Sequence, residues 1–166
     1  MILNTVVLWA HIFGVIGWMG AAMVFGLVIG PALGKASPQA RAEFFAKIVP
    51  RYLTYIEVFS IITVVFGVAM VAVLADGDFS IMSPTTTFGF CISAGAILAL
   101  VAIGMAMGVI VPTAKKMSKI AQTMLEKPGP PPPEMASLSK RLKTSTTAAL
   151  GLLVVVTVLM VAAATY

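Results

Sequence analysis

Four apolar blocks, each long enough to cross a bilayer, leave this chain very few folds to choose from. They cover residues 3–33, 52–75, 88–113 and 146–166. Crossing the hydrocarbon core takes about 20 apolar residues. Lipid offers no partner to a backbone N–H or C=O, so every block must be a helix. The expected fold is therefore all-α: a polytopic membrane protein of four transmembrane helices in an up-down bundle, with all 166 residues in a single membrane domain. Composition agrees. The chain is 60% hydrophobic and 10% charged, where a soluble domain carries roughly 25% charged residues.

A net charge of +5 could suggest nucleic acid, but the placement of the charges excludes it. All 11 basic residues lie in two segments: Lys35, Arg41, Lys47 and Arg51 between spans one and two, and Lys115, Lys116, Lys119, Lys127, Lys140, Arg141 and Lys143 between spans three and four. The 76–87 loop holds Asp76 and Asp78 and no cation. Basic loops stay cytoplasmic, so loops 34–51 and 114–145 are expected inside a prokaryotic cytoplasmic membrane, with loop 76–87 and both termini outside. The basic excess also draws anionic lipid headgroups. No basic n-region precedes the first apolar run, and that run is far longer than a signal h-region, so span one is expected to remain in the mature protein.

Between the spans, Ser37-Pro38 has the form of an N-cap followed by proline at the first helical position. It predicts a short helix over residues 40–49 with Phe44, Phe45 and Ile48 on one face. Glu43 and Lys47 fall i,i+4 on its polar side. Pro31 is expected to kink or stop span one, and Pro50 to mark the entry to span two. Met117, Ile120, Met124 and Leu125 continue the helical spacing beyond span three. Met135, Leu138 and Leu142 precede span four in the same way, so both spans are expected to carry cytoplasmic helical extensions. The intervening PGPPPP, residues 128–133, reads as a stiff extended connector. VIGPALGK at 28–35 and VIVPTAKK at 109–116 share Val-Ile-x-Pro and a closing Lys, a short internal echo.

Ionisable side chains within a span are costly and by default mark function. Two occur here, His11 and Glu57. His11 lies roughly 10 Å along the helix from Asn4, and Glu57 about 9 Å past Arg51. Their depths differ by over ~10 Å in a ~30 Å core, so a His–Glu acid/base pair is not expected. Gly14 at i+3 and Trp18 at i+7 share a helix face with His11. Such a face can seat a flat group against the helix, as membrane b-type haem sites do with an axial imidazole. The alternatives are that Gly14, Gly17, Gly20 and Ala21 let helices approach closely, with His11 bonded across the interface, or that His11 holds a simple metal ion. Glu57 either relays protons as a neutral carboxyl or reaches for the inner interface, Thr54 or Ser60.

His-x6-Trp-x-Gly in a first span, then small residues, a Pro and a basic loop, resembles the CopD-like membrane superfamily and is similar to the HemJ-type protoporphyrinogen oxidases. The resemblance covers mainly residues 8–35. It implies that His11 matches the haem-ligand histidine of the HemJ type, with Trp18 and Gly20 as neighbours. HemJ-type enzymes carry further His, Lys and Arg within their helices. Span three here has none, so what carries over is haem ligation rather than porphyrinogen oxidation.

One histidine limits any haem to five-coordination, a Met ligand, or His11 from each of two subunits. Met19, Met23, Met105 and Met107 lie in spans, where unbranched side chains commonly fill helix interfaces. Cys91 reads as a small buried hydrophobe. The pairs Gly26/Gly30 and Gly104/Gly108 are expected to bring spans one and three close to each other or to a neighbouring subunit. Span four is almost featureless and is expected to face lipid or a partner.

Three functions follow as expectations. The first is b-type haem (haem b) bound by His11, Gly14 and Trp18 near the outer face. It would serve electron transfer in a homo-oligomer or a respiratory-type complex, with Glu57 as a possible proton relay. The second is a non-catalytic accessory subunit of a larger membrane complex, in which His11 is structural. The third is a CopD-like copper-handling transporter.

Overall fold

The computed structural model describes residues 2–127 and 129–165. Pro128, the first of the proline run, and Tyr166, the end of the expected fourth span, lie outside the described residues. The fold is all-α, and four helices are long and apolar enough to cross a membrane: Leu3–Lys35, Val49–Ala75, Thr87–Glu126 and Glu134–Ala163. Span one comprises α1 (Ile2–Val24), a π-helical turn (Phe25–Ile29) and α2 (Gly30–Lys35). A short helix α3 (Pro38–Lys47) leads to span two, α4 (Val49–Ala75). Span three comprises α5 (Thr87–Met105), a second π turn (Ala106–Ile110) and α6 (Val111–Glu126), and span four is α7 (Glu134–Ala163).

The sequence echo corresponds to a shared distortion. Each π turn ends just before a helix that opens on a proline, Pro31 or Pro112. A proline ring clashes with the carbonyl four residues back and has no N–H to give it. Those carbonyls belong to Leu27 and Gly108, inside the two π turns. Widening the helix there accommodates the ring, and Gly30 N–H and Val111 N–H bond instead to the carbonyls of Phe25 and Ala106. Neither proline stops its helix, so Pro31 is a point of rewinding rather than an end.

Caps follow the sequence closely. The Ser37 hydroxyl accepts the Ala40 N–H at 3.2 Å, with Pro38 in the first turn of α3. Phe44 and Phe45 face the bundle, but Ile48 is exposed. Beyond span two the chain turns through Asp76 and Gly77, both at positive φ. A 3₁₀ turn (Phe79–Met82) follows, and then Thr86, whose hydroxyl caps α5 by accepting the Gly89 N–H at 3.0 Å.

Span one packs along span two, and span three along span four, while contact between the two pairs is sparser. Of the two alternatives expected for spans one and three, an approach to each other or to a neighbouring subunit, this corrects the first. Gly104 and Gly108 have nothing packed against the place a Cβ would take. They face outward because the pairing is made by other glycines. A Cβ at Gly14 would come 2.7 Å from Thr63 Oγ1 of span two. At Gly95, which precedes Pro112 by the same spacing as Gly14 precedes Pro31, it would come 2.7 Å from Met160 Cε of span four.

Three layers of buried side chains join the pairs. At the cation-rich end Val49, Leu53, Val111, Ala114, Met117 and Leu142 cluster, with α3 laid over α6. In the middle Trp18, Ile56, Ala102 and Leu153 bring one residue from each span together. At the far end Cys91, Ile92 and Ala163 pack with Val71 and Phe88. Cys91 is thus a core hydrophobe. The outer surface is apolar, with Phe13, Ile16, Val68, Ile97 and Val158 all exposed as lipid-facing side chains.

Candidate functional site

His11 sits in the N-terminal half of α1, against span two. Its Nδ1 lies 2.8 Å from the carbonyl oxygen of Thr63. A carbonyl only accepts, so Nδ1 is the donor in this bond. The ring reaches that carbonyl because residue 67 is glycine. A Cβ there would stand 3.0 Å from His11 Cε1 and 3.1 Å from Nδ1. Thr63 itself is buried, and its hydroxyl donates to the Phe59 carbonyl at 2.8 Å.

Gly14 does not open space beside the histidine. Thr63 fills that space, its N 2.8 Å from where a Cβ would stand. A Cβ at Gly17 would run into the Phe59 ring, which also meets Phe13 and Tyr55 in tilted ring contacts. Close helix approach, one of the two readings of this glycine pattern, is the one seen. Trp18 is 4% exposed and packs in the middle layer with Ile56, Ala102 and Leu153. His11 and Trp18 share the inward face of span one as their spacing requires, but in different layers. Gly20 has no neighbour at its Cβ position.

Glu57 pairs with a residue that sequence reasoning did not assign to it. Lys115 Nζ of span three is 2.9 Å from Glu57 Oε1, the carboxylate side chain 28% and the ammonium 57% exposed. The Ser60 hydroxyl bonds the Glu57 backbone carbonyl rather than its carboxylate, at 3.0 Å, and Thr54 bonds Pro50. A second bridge, Lys116 to Glu134 at 2.7 Å, ties span three to span four. Each joins helices far apart in sequence, so neither leaves an i,i+4 signature to read.

Two further polar links cross the bundle. The Tyr52 hydroxyl donates to the Ala21 carbonyl at 2.8 Å, tying span two to span one near the first π turn. The Thr157 hydroxyl of span four lies 3.1 Å from Met19 Sδ. The same hydroxyl is 2.9 Å from the Leu153 carbonyl, the stronger acceptor for its one proton, and Met19, a possible second haem ligand, packs beside it. No group of three or more His, Cys, Asp or Glu side chains that could hold a metal ion occurs among the described residues. Any metal chemistry at His11 would rest on Nε2 and on ligands from outside this set. Comparison with protein-family models, with characterised proteins and with solved structures finds no match to this chain.

Proposed function

We propose that this four-span membrane protein is a non-catalytic helical subunit, with His11 pinning span one to span two. It works as a homo-oligomer or as a cover on a larger membrane complex. The observation that carries this reading is the Nδ1 bond to the Thr63 carbonyl, closed over Gly67. In lipid an interhelical bond of this kind contributes about 0.6 kcal/mol, and up to about 1.7. It also satisfies a ring N–H that would otherwise be stranded in hydrocarbon. The cation-rich end is oriented to the cytoplasm of a prokaryotic membrane, leaving both termini outside, by the bias of Lys and Arg toward inner loops. Glu57 serves this scaffold as the partner of Lys115.

A second reading, b-type haem for electron transfer, is favoured by one specific observation. Histidines that bind metal usually donate their other ring N–H to a carbonyl or carboxylate. The Thr63 carbonyl is such a partner for Nδ1. His11 would then be the axial ligand, and haem would supply the one-electron chemistry. Gly14 lends this reading no room, being filled by Thr63.

One experiment separates the two. The purified full-length protein and its His11→Ala variant are compared by visible absorption and by thermal unfolding in detergent. A colourless wild type whose variant unfolds at lower temperature supports the pin. A haem band present in the wild type and lost in the variant establishes the second reading and overturns the first.

A further inference from the structure

Charged side chains are costly in hydrocarbon, so Lys115 and Lys116 set the end of span three at or before themselves. The helix runs on through α6 to Glu126. Lys127 therefore stands roughly 18 Å along the helix axis past Lys115. A headgroup layer is only about 5–8 Å thick on each side of the core. The proline run that follows α6 is thus carried clear of lipid and into water.

The backbone of that run is set by its own chemistry. A proline fixes its φ at about −65°, and a residue before proline is driven to a ψ of about +120 to +160°. Pro130, Pro131 and Pro132 meet both conditions and make one turn of polyproline helix, in which residues three apart share an edge. Pro133 turns into α7 through its own ψ of −32°, after its ring is placed. Gly129 and Pro132 line a groove with Ile120 and Met124 of α6, and Pro132 is half-buried. Pro130 and Pro133 share a second edge and Pro131 takes the third, and all three are exposed although Pro130 also borders the groove. Both ends are fastened. The Lys127 N–H bonds the Thr123 carbonyl and the Met135 N–H the Pro132 carbonyl, each at 2.9 Å, and Lys116 holds Glu134.

The exposed edges present a definite chemistry. Proline has no N–H to give, and the carbonyls of Gly129, Pro130 and Pro131 accept no hydrogen bond among the described residues. A complementary surface is flat, apolar and donating, as Trp and Tyr rings are with an N–H or O–H at the edge. Lys127, three positions before Pro130, is exposed and forms no ion pair among the described residues. Residues 114–145 carry seven basic side chains and two acidic ones, Glu126 and Glu134. A partner that complements this end is acidic at its rim.

We propose that the proline run, with Lys127, is a docking strand for a water-soluble protein domain whose groove is lined by Trp and Tyr and flanked by carboxylates. Pro130 and Pro133 seat against the rings, and Lys127 meets an acid. A strand already fixed in its bound shape loses little conformational freedom on docking. The docking stands on either reading of His11.

The test titrates the full-length protein, in nanodiscs of phosphatidylcholine and phosphatidylglycerol, into an isotope-labelled SH3 domain that recognises Lys-x-x-Pro-x-x-Pro peptides. A saturable shift of the indole N–H resonance in its groove is expected. Pro130→Ala with Pro133→Ala should weaken binding at least tenfold and Lys127→Glu at least fivefold, with helical content unchanged. Pro132→Ala, on the edge turned to α6, should change it less than twofold. No shift overturns the proposal. So does binding that survives the double proline variant, falls as far in Pro132→Ala, or persists when the groove tryptophan is replaced, which marks charge attraction alone. Binding seen in detergent and abolished in nanodiscs means that the bilayer surface covers the run, and overturns it too. Should the double variant not fold, Pro130→Ala alone decides, by a weakening of at least threefold or by none.

Discussion

Replacing Gly14 by alanine tests the central packing claim directly. The added methyl would stand 2.7 Å from Thr63 Oγ1, 2.8 Å from Thr63 N and 3.0 Å from Thr63 Cα. Two of those three atoms are backbone, so no rotamer change relieves the clash. Ordinary contact requires spans one and two to part by about 0.7 Å. Overpacking of this kind costs about 1–3 kcal/mol. The same movement stretches the 2.8 Å His11–Thr63 bond to the edge of hydrogen-bonding range and forfeits about 0.6 kcal/mol more. Alanine also gains up to about 1 kcal/mol of helix propensity over glycine. Gly20→Ala removes that ambiguity, because it gains the same propensity on the same helix and meets nothing within 4 Å. The two variants should therefore differ by about 1.6–3.6 kcal/mol, Gly14→Ala being the less stable. Reversible unfolding in bicelles by steric trapping measures the difference. Variants within about 0.5 kcal/mol of each other would show that span two does not touch Gly14, since additive packing errors at a real contact exceed that scatter.

Three further outcomes are expected. A double-mutant cycle on Glu57→Gln and Lys115→Gln should give a coupling of only about 0.2–1 kcal/mol, because both groups are partly exposed, and it should shrink at high salt. Tyr52→Phe should destabilise by about 0.5–1.5 kcal/mol through loss of its bond to the Ala21 carbonyl, read by the same unfolding assay. Asp78, in the loop between spans two and three, accepts the Ser80 N–H at 2.9 Å, which holds its carboxyl below the usual carboxylate range. A folded value below the unfolded one gives stability that is complete above the unfolded value and lost as pH falls through the folded one. The thermal midpoint of the wild type should therefore drop more steeply on acidification than that of Asp78→Asn. Parallel curves would remove the role given to this bond.

The four spans, their order and the cap at Ser37 were legible because each is local in the chain. Lipid compels helix wherever about 20 apolar residues run together, and a cap needs only three or four neighbours. The sequence also put His11, Gly14 and Trp18 on one face, since helical spacing alone decides that. It could not say what that face meets. Glycine serves equally to admit a flat ligand or a neighbouring helix, and only tertiary packing shows Thr63 and Phe59 in the space. Gly67 could be read only once spans one and two were known to be partners. Of the two approaches expected of spans one and three, the one to each other is not made, for the same reason: Gly104 and Gly108 look like interface residues in one dimension, yet face away from the bundle. The charge pair Glu57–Lys115 has no sequence period at all. It joins residues far apart in the chain, so it was decided by how the helices rotate against one another, a choice that apolar side chains spread all round a helix leave open.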